Sequence, residues 1–283
     1  MTIDIICPLY NAESEIEGLY KSLLIQKNVE INTIKFVLTE SKDNTEGKLK
    51  EMNLNYKKIK KEEFSHSLTR EKEVFESNAD IIVFITQDVK IKRDDWLYYL
   101  IKDIAEGIVD ACYSRQLCDN NTIEKYTRES NYPETSRIVS KNDIEKLGLK
   151  TFFFSDASSA IKRDTFIKLN GYDNKNLCIS EDMYIAYKLI TNGYKIKYCA
   201  ESEVVHSHEF TLKQYYNRYK DTGKFFKENS YLNKYKVNQA GVGLAIYILK
   251  RALQDKNWKV LINYMPNMAV RFIGMKMGKI NGK

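Results

Sequence analysis

Three groupings in this 283-residue chain have residue types and spacings that can do chemistry. The first is Thr86-Gln87-Asp88, which follows the unbroken apolar run Ile81-Ile82-Val83-Phe84-Ile85. A strand ending there delivers the Asp88 carboxylate to a sheet edge, where an acid can hold a divalent cation that itself carries a diphosphate. The same residue can equally be a turn or cap residue ahead of a helix over 94–106. The second grouping is His206-Ser207-His208, which ends the extended segment Glu203-Val204-Val205 and holds two of the three histidines of the chain. At a period of two both imidazoles face one side of a strand. Histidine with carboxylate suits Mg²⁺ or Mn²⁺ with positions left open to a diphosphate; a pair of structural histidines at a strand end has the same pattern. In the third grouping, Glu181-Asp182 opens a helical segment. A carboxylate fixed beside a hydroxyl can act as general base while its neighbour holds the hydroxyl-bearing molecule, but acids in a first helical turn also serve as caps.

Lesser candidates stand around these. Glu40, at the end of a strand, and Asp43 can accept hydrogen bonds from a base or ribose, and Arg70, after Phe64-Ser65-His66-Ser67-Leu68-Thr69, can contact base or phosphate. Gly241-Val242-Gly243 follows no strand, lacks a third glycine and starts an apolar helix, which excludes a dinucleotide loop.

The elements that must position these groups can be read from periodicity. Residues 3–7 form a buried strand stopped by Pro8 and the turn residue Asn11, after which Ile16, Leu19, Tyr20, Leu23 and Leu24 recur at helical spacing. Residues 34–39 give a second strand, and Asp43 or Asn44 is placed to cap a following helix. The run over 79–86 is that of a central strand covered on both faces. This alternation through residue 115 predicts an α/β protein, a three-layer sandwich on a mostly parallel sheet, with ligands beyond the carboxyl ends of the strands. Beyond it, residues 109–114 predict a strand, 119–150 read as polar loop, and Phe152-Phe153-Phe154 precedes Ser155-Asp156. Helices follow from Arg163 and over 181–192, the latter closed by Gly193; a strand resumes over 195–199 and a basic, aromatic helix runs over 212–229.

Composition limits the function classes. With 43% hydrophobic and 29% charged residues the chain is not a disordered one. Five cysteines without C-x-x-C spacing argue against a disulfide framework or zinc site and for reduced thiols. The N-terminus shows no signal-peptide pattern, so a cytoplasmic location is expected. Residues 250–283 hold eight Lys/Arg against one Asp, which accounts for the whole formal net charge of +7. These charges are interleaved with Leu253, Trp258, Leu261, Ile262, Tyr264, Met265, Phe272 and Ile273 at helical spacing, a pattern better matched to an anionic membrane surface than to nucleic acid. The longest apolar stretch, 240–249, falls short of the roughly 20 residues of a bilayer span.

Taken together, Pro8-Leu9-Tyr10-Asn11, Thr86-Gln87-Asp88, Glu181-Asp182 and His206-Ser207-His208 resemble, in order and spacing, the inverting glycosyltransferase family 2 with its GT-A fold, over nearly the full length. Phe64-x-His66 with Thr69-Arg70, Phe153-Phe154-Ser155-Asp156, Tyr219-Lys220-Asp221-Thr222-Gly223 and the terminal Arg271 to Lys279 segment look most like bacterial rhamnosyltransferases. The resemblance implies a catalytic domain over 1–210, with a nucleotide-binding half of about 1–115 and an acceptor-binding half of about 116–210, followed by a basic amphipathic, membrane-associating region over 211–283. It implies that Pro8, Tyr10, Asn11, Glu40, Asp43, His66, Arg70, Gln87 and Asp88 bind the nucleotide sugar, that Asp88, His206 and His208 bind Mg²⁺ or Mn²⁺, and that Asp182 is the base with Glu181 beside it. Phe154, Asp156 and Glu181 would hold the acceptor. The implied donor is dTDP-L-rhamnose and the implied acceptor a lipid-linked saccharide of O-antigen, capsule or cell wall, met at the inner face of the plasma membrane; a homo-oligomer is compatible with the sequence. Two departures stand out: the metal motif begins with Thr86 in place of an acid, and Glu40-Ser41 replaces a more usual Asp-Ser in a shortened loop. A UDP-hexose donor would keep every catalytic role, whereas a non-enzymatic membrane-binding module would leave the ordered acids and histidines unexplained.

Overall fold

The computed structural model describes residues 1–235 and 237–281. Lys283, one of the eight basic residues of the tail, lies outside them. In chain order the first half comprises β1 (Ile3–Leu9), α1 (Ile16–Leu24), β2 (Ile31–Thr39), α2 (Thr45–Glu51), β3 (Tyr56–Ile59), α3 (His66–Phe75), β4 (Ile81–Ile85), β5 (Lys90–Ile91), α4 (Trp96–Ala105) and β6 (Ala111–Leu117). There follow α5 (Ile123–Asn131), β7 (Arg137–Val139), α6 (Ile144–Leu147), β8 (Ser158–Lys162), α7 (Arg163–Lys168), α8 (Glu181–Thr191), β9 (Ile196–Val205), α9 (Leu212–Glu228), α10 (Val237–Gln254) and α11 (Trp258–Asn281).

The strands form one sheet in the order β3-β2-β1-β4-β8-β6-β9-β5, with β7 also paired to β9. β1 pairs in parallel with β2 and β4, and β6 with β9, while β8 lies antiparallel between β4 and β6. Two antiparallel steps restore direction, so β1, β2, β3, β4, β6 and β9 all point the same way and the sheet is mostly parallel.

Alternation of side chains builds the layers. Ile3, Ile5, Cys7, Ile81, Val83 and Ile85 face one side, packed with Leu19 and Leu23 of α1 and Trp96 and Leu100 of α4. Ile6, Ile82 and Phe84 face the other, against Phe166 of α7 and Ile185 and Leu189 of α8. All five residues of β4 are buried. At about 1.5–3 kcal/mol for each large apolar side chain removed from water, that burial fixes the strand whose end presents Asp88. A third cluster, with Tyr126, Tyr215, Ile248, Ala252 and Val260, joins α5 to α9, α10 and α11.

The segment 119–150, expected to be loop, instead contains α5, β7 and α6. Its helix escapes periodicity because only Ile123, Glu124 and Tyr126 of α5 are buried, two of them polar-ended residues. β8 likewise hides behind serines: Ser158 and Ser159 are fully buried and bonded to Trp96, Ser114 and Asp156. Strand β9 is longer than 195–199 and runs on to Val205, so that His206 stands at its end.

Candidate active site

The carboxyl ends of the strands place two groups of side chains side by side. Asp88 follows β4, and His206 and His208 follow β9; one ligand atom from each lies within 4.8 Å of the others. His206 Nε2 is 3.3 Å and His208 Nδ1 3.7 Å from Asp88 Oδ2. Gln116 of β6 orients the first of these rings. Its Nε2 donates to Ser155 Oγ at 2.8 Å, which leaves Oε1 to accept from His206 Nδ1 at 2.8 Å and turns the Nε2 lone pair of His206 toward Asp88. Arg128 of α5 approaches the same Nδ1 at 3.4 Å. Burial alone would raise the Asp88 carboxyl, but the His206, Thr86 and His208 side chains around it hold it well below the usual carboxylate range. Burial lowers both imidazoles, His208 to about 4, so both are neutral near pH 7. One carboxylate and two neutral imidazoles, converging within reach of a single ion, form a donor set that fits a divalent cation such as Mn²⁺ with positions left open.

The second group is acidic. Ser180 takes a left-handed conformation, φ 61°, and from it α8 starts with Glu181 and Asp182. An αL serine is an uncommon backbone state, and it aims the first turn of α8 at the site. Arg70 of α3, 2% exposed, lies beneath: its guanidinium donates to Glu181 Oε1 at 3.1 Å and to the His66 carbonyl at 2.8 Å. Asp156 is held by Ser159 Oγ at 2.8 Å and Tyr172 Oη at 2.9 Å. Of the three carboxylates Glu181 alone touches the buried guanidinium, while Asp156 and Asp182 act on it through charge. Burial, then the charges of Glu181 and Asp156, raise Asp182 well above the ordinary carboxylate range. Burial also raises Glu181 and Asp156, with Arg70 opposing in both. Asp182 Oδ1 accepts from the Met183 N–H at 2.7 Å, which fixes its rotamer. His66, beside Arg70, is lowered to about 4 by burial and by the Arg70 charge.

The remaining sequence candidates lie along the loops after β1 and β2. Pro8 is half-buried within β1, and Tyr10 is 38% exposed beneath the Lys61 ammonium, 5.7 Å from its ring centroid. Gln87 exchanges two hydrogen bonds with the Tyr10 backbone, at 2.7 and 2.9 Å, tying the loop after β4 to that after β1. Asn11, at φ 49°, accepts from the Lys42 N–H, and its own N–H donates to Ser41 Oγ. Asp43 spends both oxygens locally, on the Glu13 N–H and on Thr45. Glu40 is exposed. Phe154 is 3% exposed and packs edge-on to Tyr113 in the core, so its ring faces protein. Arg70 is brought to the acidic group, away from this loop surface. Gln116, Arg128 and Tyr172 carry no motif; a polar residue at the carboxyl end of a strand was the only available signal for Gln116.

Comparison with known proteins gives the family and the fold. Residues 4–169 match the family model for glycosyl transferase family 2. The chain is 32% identical to the O-antigen chain rhamnosyltransferase RfbN of Salmonella typhimurium, over 99% of this chain and 90% of that one. It is 34% identical to the O-antigen chain rhamnosyltransferase WbaN of Salmonella anatum, over 78% and 71%. Among solved structures, the mannosyltransferase PcManGT of Pyrobaculum calidifontis, in complex with GDP-Man and Mn²⁺, superposes with a TM-score of 0.62 at 15% identity, covering 99% of this chain and 86% of that one. That likeness is one of fold, the GT-A fold.

Proposed function

The chain belongs to glycosyltransferase family 2, and from that premise we propose that it moves L-rhamnose from dTDP-L-rhamnose onto a lipid-linked saccharide in bacterial cell-surface polysaccharide synthesis. The observation that carries this reading is the pairing of a cation-binding group, Asp88 with His206 and His208, with an acidic group whose Asp182 is raised toward the range of a working base. The rhamnosyl donor and an O-antigen acceptor are supported by the two Salmonella relatives.

In this mechanism Asp182 removes the proton of an acceptor hydroxyl as its oxygen attacks the anomeric carbon. The new glycosidic bond forms as the bond from that carbon to the phosphate oxygen breaks, and dTDP departs from the opposite face with inversion. Glu181 holds a neighbouring hydroxyl of the acceptor, whereas Asp156, 2% exposed with its two oxygens on Ser159 and Tyr172, acts on the site through its charge alone and not as the acceptor contact the resemblance implied. Arg70 opposes the burial that raises Glu181 and holds its carboxyl in place without meeting solvent. Tyr10, Asn11, Glu40 and Asp43 line the nucleoside end. A divalent ion on Asp88, His206 and His208 would supply charge neutralisation to the departing diphosphate.

The exposed faces of the C-terminal helices support a membrane-associated reading. Val242, Ile246, Leu249 and Leu253 on α10, and Trp258, Ile262, Met265 and Phe272 on α11, are exposed at steps of three, four or seven residues, a stripe along each helix. Among the described residues no helix is long and apolar enough to cross a membrane. The reading is therefore of a cytoplasmic enzyme seated on the inner face of the plasma membrane, where its acceptor resides.

The test is incubation of the full chain with dTDP-L-rhamnose or UDP-hexoses, Mn²⁺ and a lipid-linked acceptor extract, following nucleotide release and labelled product. Transfer from dTDP-L-rhamnose alone supports the proposal. Transfer from a UDP-hexose in its place would replace the donor and leave the mechanism standing.

A further inference from the structure

We infer that Arg218 of α9 binds the donor diphosphate and closes the donor site from the C-terminal side. The inference rests on the nucleotide-sugar reading above. Arg218 is exposed, yet its guanidinium is held in place: Cζ lies 4.8 Å from the Phe210 ring centroid. Phe210 stacks on His208, with centroids 4.8 Å apart and planes at 28°, and His208 Nδ1 is 3.7 Å from Asp88 Oδ2. Tyr215, 4% exposed, meets the Phe210 ring edge-on at 5.4 Å and backs the platform. A continuous stack thus runs from the guanidinium to the Asp88 carboxylate.

The other arginines near the site are already spent. Arg70 is given to Glu181, Arg115 to Glu203 and Arg271 to Glu124, and Arg128 is half-buried against His206. Among the described residues the side chain of Arg218 has no hydrogen-bond or ion-pair partner; its carbonyl alone is engaged, by Thr222 Oγ1. The stack sets the guanidinium on the α9 side of the cation-binding group.

A site with Asp88, Asp156, Glu181 and Asp182 on its walls repels an anionic donor unless fixed positive charge offsets them. A planar fork of donors matches the oxygens of a diphosphate bidentately, and a stacked, preorganised arginine loses little freedom in binding them. Exposure without a partner is the state expected of a donor awaiting its ligand. The ordinary alternative, an arginine covering an aromatic ring, predicts no effect on ligand affinity.

Calorimetric titration of the full chain in Mn²⁺ with dTDP and with dTMP tests the assignment. Arg218→Gln is expected to weaken dTDP by about tenfold to a hundredfold, as for a lost charge-assisted hydrogen bond, and dTMP by under about threefold. Arg218→Lys recovers part of the loss, because an ammonium keeps the charge and lacks the fork. The melting temperature of both variants stays at the wild-type value. Unchanged dTDP affinity in Arg218→Gln, or equal losses for dTDP and dTMP, would overturn the inference alone. A wild-type chain that binds neither dTDP nor UDP overturns the donor reading and this inference with it.

Discussion

The guanidinium of Arg70 lies 3.1 Å from Glu181 Oε1, and neither side chain is more than 10% exposed. Removing one member of such a pair strands the other charge in protein. Arg70→Leu is therefore expected to destabilise the chain by about 3–5 kcal/mol. Glu181→Gln should cost less, because Arg70 keeps its bond to the His66 carbonyl at 2.8 Å. Urea denaturation midpoints check the order; equal midpoints for Arg70→Leu and wild type would show that the pair contributes nothing.

Asp182 makes a prediction about pH. Its carboxyl is raised by burial first and by Glu181 and Asp156 next. A base must be deprotonated to act, so transfer should fall as pH drops through an apparent pKa above the ordinary carboxylate range and reach a plateau at higher pH. Glu181→Gln removes the largest charge contribution to that elevation and should move the acid limb to lower pH. Asp182→Asn should abolish transfer at every pH. A pH-independent rate in wild type, or full activity in Asp182→Asn, rejects the assignment of the base.

Asp88, His206, Glu181 and Asp182 were legible in the sequence because apolar strands and a helix start announce where side chains must emerge. The layers were legible for the same reason: β4 is an unbroken apolar run, β1 is apolar apart from Asp4 and Pro8, and both strands are buried on two faces. Arg70 and Arg271 were not. Arg70 stands among charged residues and Arg271 in an apolar stretch, and nothing local distinguishes a surface arginine from one that reaches a carboxylate 111 or 147 residues away. Helix α5 and strand β8 were hidden because polar side chains there are buried through hydrogen bonds, which periodicity of apolar residues cannot register.

Gln116 acts on the cation through His206. Gln116→Leu keeps the volume and removes the acceptor at 2.8 Å that fixes the ring. Loss of such an orienting partner costs about ten- to a hundredfold in metal affinity. Electron paramagnetic resonance titration with Mn²⁺ reads this directly, and Asp88→Asn gives the expected floor. If Gln116→Leu binds Mn²⁺ as wild type does, the amide has no part in setting the ring.

Helices α9 and α11 touch backbone to backbone at Gly223, Gly274 and Gly278: a Cβ on Gly278 would fall on the Lys220 carbonyl, and one on Gly274 on that of Tyr216. Gly278→Ala must push the helices apart, at about 1–3 kcal/mol for an overpacked contact. Gly241→Ala, in α10 with open space around it, is the control and should be neutral or stabilising. Thermal melts that rank the two alike would contradict the seam.

The membrane prediction needs variants that leave this packing intact. Deleting the tail would uncover Tyr126 and Tyr215, which share a core with Ile248, Ala252 and Val260. Part of the tail's charge is also committed internally, Arg271 to Glu124, Arg251 to Glu129 and Lys259 to Glu209. Among the described residues, what remains for a lipid surface is the exposed apolar stripe with the exposed Lys250, Lys256 and Lys276 and the half-buried Lys279 along it. Trp258→Ser, Ile262→Ser and Phe272→Ser together, at positions 68%, 76% and 70% exposed, should abolish flotation with phosphatidylglycerol-containing vesicles while the melting temperature holds. Each exposed lysine contributes about 1 kcal/mol near an anionic surface, so added salt should weaken flotation of the wild type. Flotation that survives the triple substitution would place the contact on another face of the molecule.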